Sequence, residues 1–109
     1  MSPSRSKISA FLRRLRLAIR QELVFVEVYA LDRATEDFEW DRFAIVDELK
    51  WLELDDFHKT DVAKDPRYTG EMIWVFCPEV DLPPRFDTRK LWIRLIERKG
   101  FIVISFHEA

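Results

Sequence analysis

Glycine and cysteine are nearly missing from this chain. Two glycines, Gly70 and Gly100, and one cysteine, Cys77, occur in 109 residues. A lone thiol excludes an internal disulfide and any zinc site built on several cysteines, and it suits a reducing cytoplasm. Histidine is also sparse. His58 and His107 are too few for a His-rich metal centre, so neither a metal nor a cofactor is expected. No apolar run is long enough to cross a bilayer. Acidic residues are absent before Glu22, and Arg13, Arg14, Arg16 and Arg20 interrupt what would be the apolar core of a signal peptide. The expectation is a cytoplasmic protein with no membrane partner.

What is present is apolar, aromatic and charged. With 48% hydrophobic and 14% aromatic residues the chain can bury a core, which argues against a disordered polypeptide. Its 109 residues suit a single domain, with a loose segment at 1–6. The formal net charge of −2 hides a segregation. Charges are basic up to Arg20, acidic in excess from Glu22 to Asp81, and basic again with Arg85, Arg89, Lys90, Arg94, Arg98 and Lys99. If the two basic ends pack together, they form one positive face that attracts phosphates. The alternative is two ordinary solvated surfaces.

Ile8, Phe11, Leu12, Leu15, Ile19 and Leu23 fall at helical spacing, with arginines on the other side. "LVFVEVY" (Leu23–Tyr29) reads as extended. "DRATEDFEW" reads as a polar turn, and a second helix is expected from about Phe38 to Leu52. Asp55 or Asp56 would cap a short helical turn. "DVAKDPRYTG" is a loop by its Pro66 and Gly70. "EMIWVFCP" alternates as a strand ended by Pro78, and "EVDLPPRFDT" is a Pro-rich connector. Helices first and strands last predict an α+β fold. Its sheet would be mainly antiparallel, with the N-terminal helices packed on one face.

The closing "LWIRLIERKGFIVISFHEA" predicts a hairpin, Leu91–Arg98 with Phe101–His107, turning at Lys99-Gly100. Ile96 then faces Val103, Arg94 faces Ser105 and Trp92 faces His107. One face, Leu91, Ile93, Leu95, Ile102, Ile104 and Phe106, is core. The other gathers Trp92, Arg94, Ser105 and His107. A guanidinium fork suits phosphate, an imidazole exchanges protons, and an indole stacks on a base. The same residues also suit a plain solvent-facing strand surface.

Two stretches carry a resemblance. "LELDDFHKT" resembles the "LxxxDFYKS" segment of the MqsR-type toxins of bacterial toxin–antitoxin systems. The C-terminal hairpin resembles their "YLKxTVxxGxxIVSFKE". The resemblance implies a RelE/MqsR-like fold and metal-independent endoribonuclease activity on mRNA. It also implies neutralisation by a cognate antitoxin protein, and it leaves association with the ribosome open. Lys59 matches the family's lysine, Trp92 a functional tyrosine, His107 a functional lysine, and Arg94 a basic strand position. Val75 stands where the family has a functional glutamine, and His58 where a tyrosine is usual. The implied catalytic set is Lys59, His107 and Arg94, with Trp92, His58 and Ser105 holding substrate. The lost glutamine favours a competing class, a non-catalytic protein-binding or RNA-binding module descended from such a toxin.

Overall fold

The computed structural model describes residues 2–82 and 87–109. It is an α+β fold with helices first and a mostly antiparallel sheet after them. Helix α1 (Arg5–Arg20) takes in the last two residues of the segment expected to be loose, because Ser4 caps it by accepting from the Lys7 amide at 3.2 Å. Its buried stripe is Ile8, Phe11, Leu12, Leu15 and Ala18. Phe11 is fully buried and lies against Trp74 with ring centroids 4.2 Å apart. Burying a side chain of this size stabilises the fold by about 1.5–3 kcal/mol.

The expected strand at Leu23–Tyr29 is cut short. Strand β1 holds only Val24–Val26, and Val28 and Tyr29 already belong to helix α2 (Val28–Phe38). The stretch read as a polar turn is helical. Ala30, Ala34 and Phe38 recur every four residues and are buried, which gives the helix a narrow seam of small side chains. The single expected helix over 38–52 is also broken. Glu39 takes a left-handed conformation (φ 59°), and Asp41 caps a separate helix α3 (Arg42–Leu49) by accepting from the Ala44 amide. The predicted turn around Asp55 and Asp56 is a 3-10 turn, Leu54–Asp56, in which the Asp56 carboxylate accepts from the Glu53 amide.

Five strands follow: β2 (Phe57–Val62), β3 (Met72–Phe76), β4 (Glu79–Leu82), β5 (Asp87–Glu97) and β6 (Phe101–Glu108). Strand β2 was not expected: Asp61 and Val62 fall in the segment read as a loop, and Phe57–Thr60 in the one read as holding a short helical turn. The sheet order is β1-β6-β5-β3-β2, with β4 also on β5, and only the β1–β6 pair is parallel. Strand β3 ends just before Pro78, as expected, but its register is resumed by β4. Phe76 pairs with Ile93 and Glu79 with Lys90 in one unbroken register, so β3 and β4 are a single line along β5, interrupted where proline lacks its N–H. Thus part of the expected connector is a strand; its Pro83, Pro84 and Arg85 lie outside the described residues.

Helices α1, α2 and α3 cover one sheet face, where Leu91, Ile93, Leu95, Phe101, Val103 and Phe106 are buried with Phe76. This corrects the hairpin. Leu95 pairs with Val103 and Ile96 with Ile102, around a three-residue connection at 98–100 rather than a two-residue turn. A bulge at Ile104 then shifts the register, so Arg94 still meets Ser105 and Trp92 still meets His107. Ile102 and Ile104 leave the expected core and pack on the opposite face. Glycine is required at Gly100, where φ is +109° and a Cβ would collide with the Leu23 carbonyl oxygen.

Candidate functional site

The face opposite the helices divides into two halves. Near the β5–β6 turn it forms a second, small core of Ala63, Tyr68, Ile73, Val75 and Ile96, with Ile102 and Ile104 packed against it. The segment between β2 and β3 lies over it. Tyr68 hydrogen-bonds Glu27, and its ring lies between the guanidiniums of Arg67 and Arg98, at 5.3 and 5.2 Å. Burial, then the bond to Glu27, raises the Tyr68 phenol above its ordinary value. Arg67 ion-pairs with Asp65 and Glu27, and Arg98 with Glu71. This segment, 63–71, is a strap held at both ends by charge.

Beyond the strap the face carries polar residues in cross-strand rows. Lys59 pairs with Val75, Val75 with Arg94, and Arg94 with Ser105, so these four form one row over four strands. The next row holds Trp92 opposite His107. The continuous β3–β4 register sets Cys77 on the other side of Trp92. His58 sits at a bulge in β2, with its ring centroid 5.5 Å from that of Trp92 in an edge-on arrangement. All six candidate residues, Lys59, His107, Arg94, Trp92, His58 and Ser105, therefore share one face. Val75 is fully buried between Lys59 and Arg94 and offers no polar side-chain atom.

The chemistry differs from residue to residue. Lys59 is half-exposed, 4.0 Å from Asp61, and its ammonium lies 5.8 Å from the Trp92 ring centroid. His107 places Nδ1 2.8 Å from the Glu108 carbonyl oxygen. A carbonyl only accepts, so Nδ1 carries the proton and a neutral ring keeps its lone pair on Nε2. Arg94 is half-buried, yet makes no hydrogen bond or ion pair with any described residue. Among the described residues Ser105 is the one buried polar residue, 7% exposed, and its hydroxyl has no described partner. Both line a groove of about 530 Å3 that runs under the strap, bordered also by Asp61, Ile73 and Ile104.

Two neighbours escaped sequence reasoning. Lys90 and Asp61 belong to the same face, since Lys90 is two residues from Trp92 and Asp61 pairs with Ile73. Alternation could have found Lys90, had the strand been started before Leu91. Cys77 is not a reactive thiolate: burial pushes its thiol up, against the opposing pull of Lys90 and Lys59.

Lys90 and Arg94 do not share a face with the arginines of α1. The arginines of α1 lie on the helix layer, where Arg14 binds Glu97 and Arg16 the Leu52 carbonyl, whereas Lys90 and Arg94 face the other way. Among the described residues, no three His, Cys, Asp or Glu side chains converge to hold a metal ion, and no helix is long and apolar enough to cross a membrane. No protein-family model matches the chain, and no curated protein matches it.

Proposed function

We propose that this protein is an endoribonuclease, the toxin of a bacterial toxin–antitoxin pair of the MqsR type on a RelE-like fold, acting in the cytoplasm on mRNA and needing no metal ion. One observation carries this above the others: two imidazoles, a lysine and an unpartnered arginine surround one indole on a bare sheet face. Such a face can hold a stacked base on Trp92 and a phosphate between Arg94 and Lys59.

The chemistry follows from the substrate's own 2′-hydroxyl. It attacks the adjacent phosphorus, the bond to the 5′-oxygen breaks, and a 2′,3′-cyclic phosphate forms. His107 takes the 2′-hydroxyl proton on Nε2. His58 approaches Trp92 from the β2 side, while His107 stands on the β6 side. An in-line displacement needs its base and acid on opposite sides, so His58 is placed to protonate the leaving oxygen. Lys59 and Arg94 stabilise the phosphorane charge.

Val75 favours a second reading. With no polar group at the centre of the row, the face could bind RNA or a protein without cutting. The test assays purified protein on RNA, and on RNA carrying a single 2′-deoxy substitution at the cleaved nucleotide, each with and without EDTA. Cleavage that survives EDTA, leaves cyclic phosphate ends and spares the deoxy position is the expected result. Loss of cutting in EDTA, or equal cutting of the deoxy substrate, overturns the mechanism. Binding with no cleavage of any RNA selects the second reading.

A further inference from the structure

We propose that the groove beneath the strap is a nucleobase subsite, in which Asp61 and Ser105 favour bases bearing an exocyclic amine (guanine, adenine, cytosine) over uracil. The inference rests on the ribonuclease reading of the adjoining face, and it names what the groove selects. The groove measures about 530 Å3 and is lined by Arg94 and Ser105 of the polar row. That volume is within the range of small-ligand sites. Ile73, Ile104 and Tyr68 supply apolar surface for the flat faces of a heterocycle. A phosphate on Arg94 brings the attached nucleotide within reach of this opening.

The polar atoms set the preference. Ser105 lines the groove and its hydroxyl has no partner among the described residues, so it is free to bond a ligand group or water. Of the carboxylates lining the groove, Glu27 and Asp65 are already bound by Arg67. Asp61 is not fully used. Its Oδ1 accepts from the Val62 amide at 2.9 Å, while Oδ2 stands 4.0 Å from the Lys59 ammonium, beyond hydrogen-bond length. That oxygen can accept from an amine. Uracil would present a carbonyl oxygen instead, setting lone pairs against a carboxylate.

The experiment needs no catalysis. The full chain is titrated with the four ribonucleoside 3′-monophosphates, which contain no cleavable bond, and amide shifts are followed. The guanosine, adenosine and cytidine compounds should bind about tenfold tighter than the uridine compound, the weight of one charge-assisted hydrogen bond. Shifts should centre on Asp61, Ile73, Ile104 and Ser105. Asp61→Asn, an exposed substitution, should abolish the preference because an amide can donate to uracil. Ser105→Ala should weaken all four. Equal affinities, no binding, shifts centred elsewhere, or a preference that survives Asp61→Asn would each overturn the subsite. Selective binding by a chain that cuts no RNA leaves the subsite standing and removes the nuclease. Cleavage with equal affinities does the reverse.

Discussion

Arg94→Met separates function from structure at one side chain. Arginine here is half-buried between Val75 and Ser105 and has no described partner. Removing the guanidinium therefore strands no acceptor, which is the usual source of a large loss. Methionine keeps most of the apolar stem, and a partly desolvated charge disappears. The net change in stability should stay within about 1 kcal/mol. Cleavage should behave otherwise. Loss of one pre-placed donor to a transition-state oxygen typically costs about 100- to 1000-fold in rate. Arg94→Lys should recover part of that, since a lysine keeps the charge but not the fork. Urea unfolding and single-turnover cleavage of one RNA measure both quantities. A loss above about 2 kcal/mol would mean that Arg94 supports the fold. A full cleavage rate in the methionine variant would remove it from the phosphate site.

Two further outcomes follow from the same face and its strap. Lys59→Ala and His107→Ala should each abolish RNA cleavage while leaving the circular dichroism spectrum unchanged, and a folded double variant cutting at the wild-type rate would end the catalytic assignment. The strap should loosen in acid: hydrogen bonds from Arg67 hold the Asp65 carboxyl down at about 2 against an ordinary 3.8, so its contribution is full above the ordinary value and is lost as pH falls through about 2. The amide shifts of Arg67 and Tyr68 in the folded protein should therefore titrate with a midpoint near 2, and an identical movement in Asp65→Asn would show that Asp65 is not the cause.

The parts of this fold legible in the sequence are those with a strong apolar contrast. The α1 stripe and the β3 alternation are of that kind. Helix α2 was not, because Ala30 and Ala34 form a seam of small residues that resembles a polar stretch. Strand β2 was missed, since it is an edge strand whose residues are mostly exposed and polar. The site shows the same division. Trp92, Arg94, Ser105 and His107 follow from hairpin pairing alone, whereas His58 and Lys59 came from the resemblance. The strap was out of reach, because it depends on Tyr68 meeting Glu27 and Arg98 meeting Glu71, contacts between residues far apart in sequence.

The hairpin shows most directly why alternation misled. Counting back from Phe106 in steps of two puts Ile104 and Ile102 in the main core. That count assumes one apolar face, but near the turn both faces are apolar: the helices cover one and the strap the other. "FIVI" is then equally content in either register, and the three-residue connection at 98–100 decides, with Ile104 absorbing the mismatch. Deleting Ile104 should therefore leave the site intact. The register that pairs Leu95 with Val103 would continue directly into Arg94 with Ser105, Ile93 with Phe106 and Trp92 with His107, now without a bulge. The cost should be about 1–2 kcal/mol, the contacts of one partly buried isoleucine. Cross-strand nuclear Overhauser effects between Trp92 and His107 would report the pairing. If they vanish, or if Phe106 turns to the strap side, the bulge is holding the faces in place and is not a residue that the sheet merely tolerates.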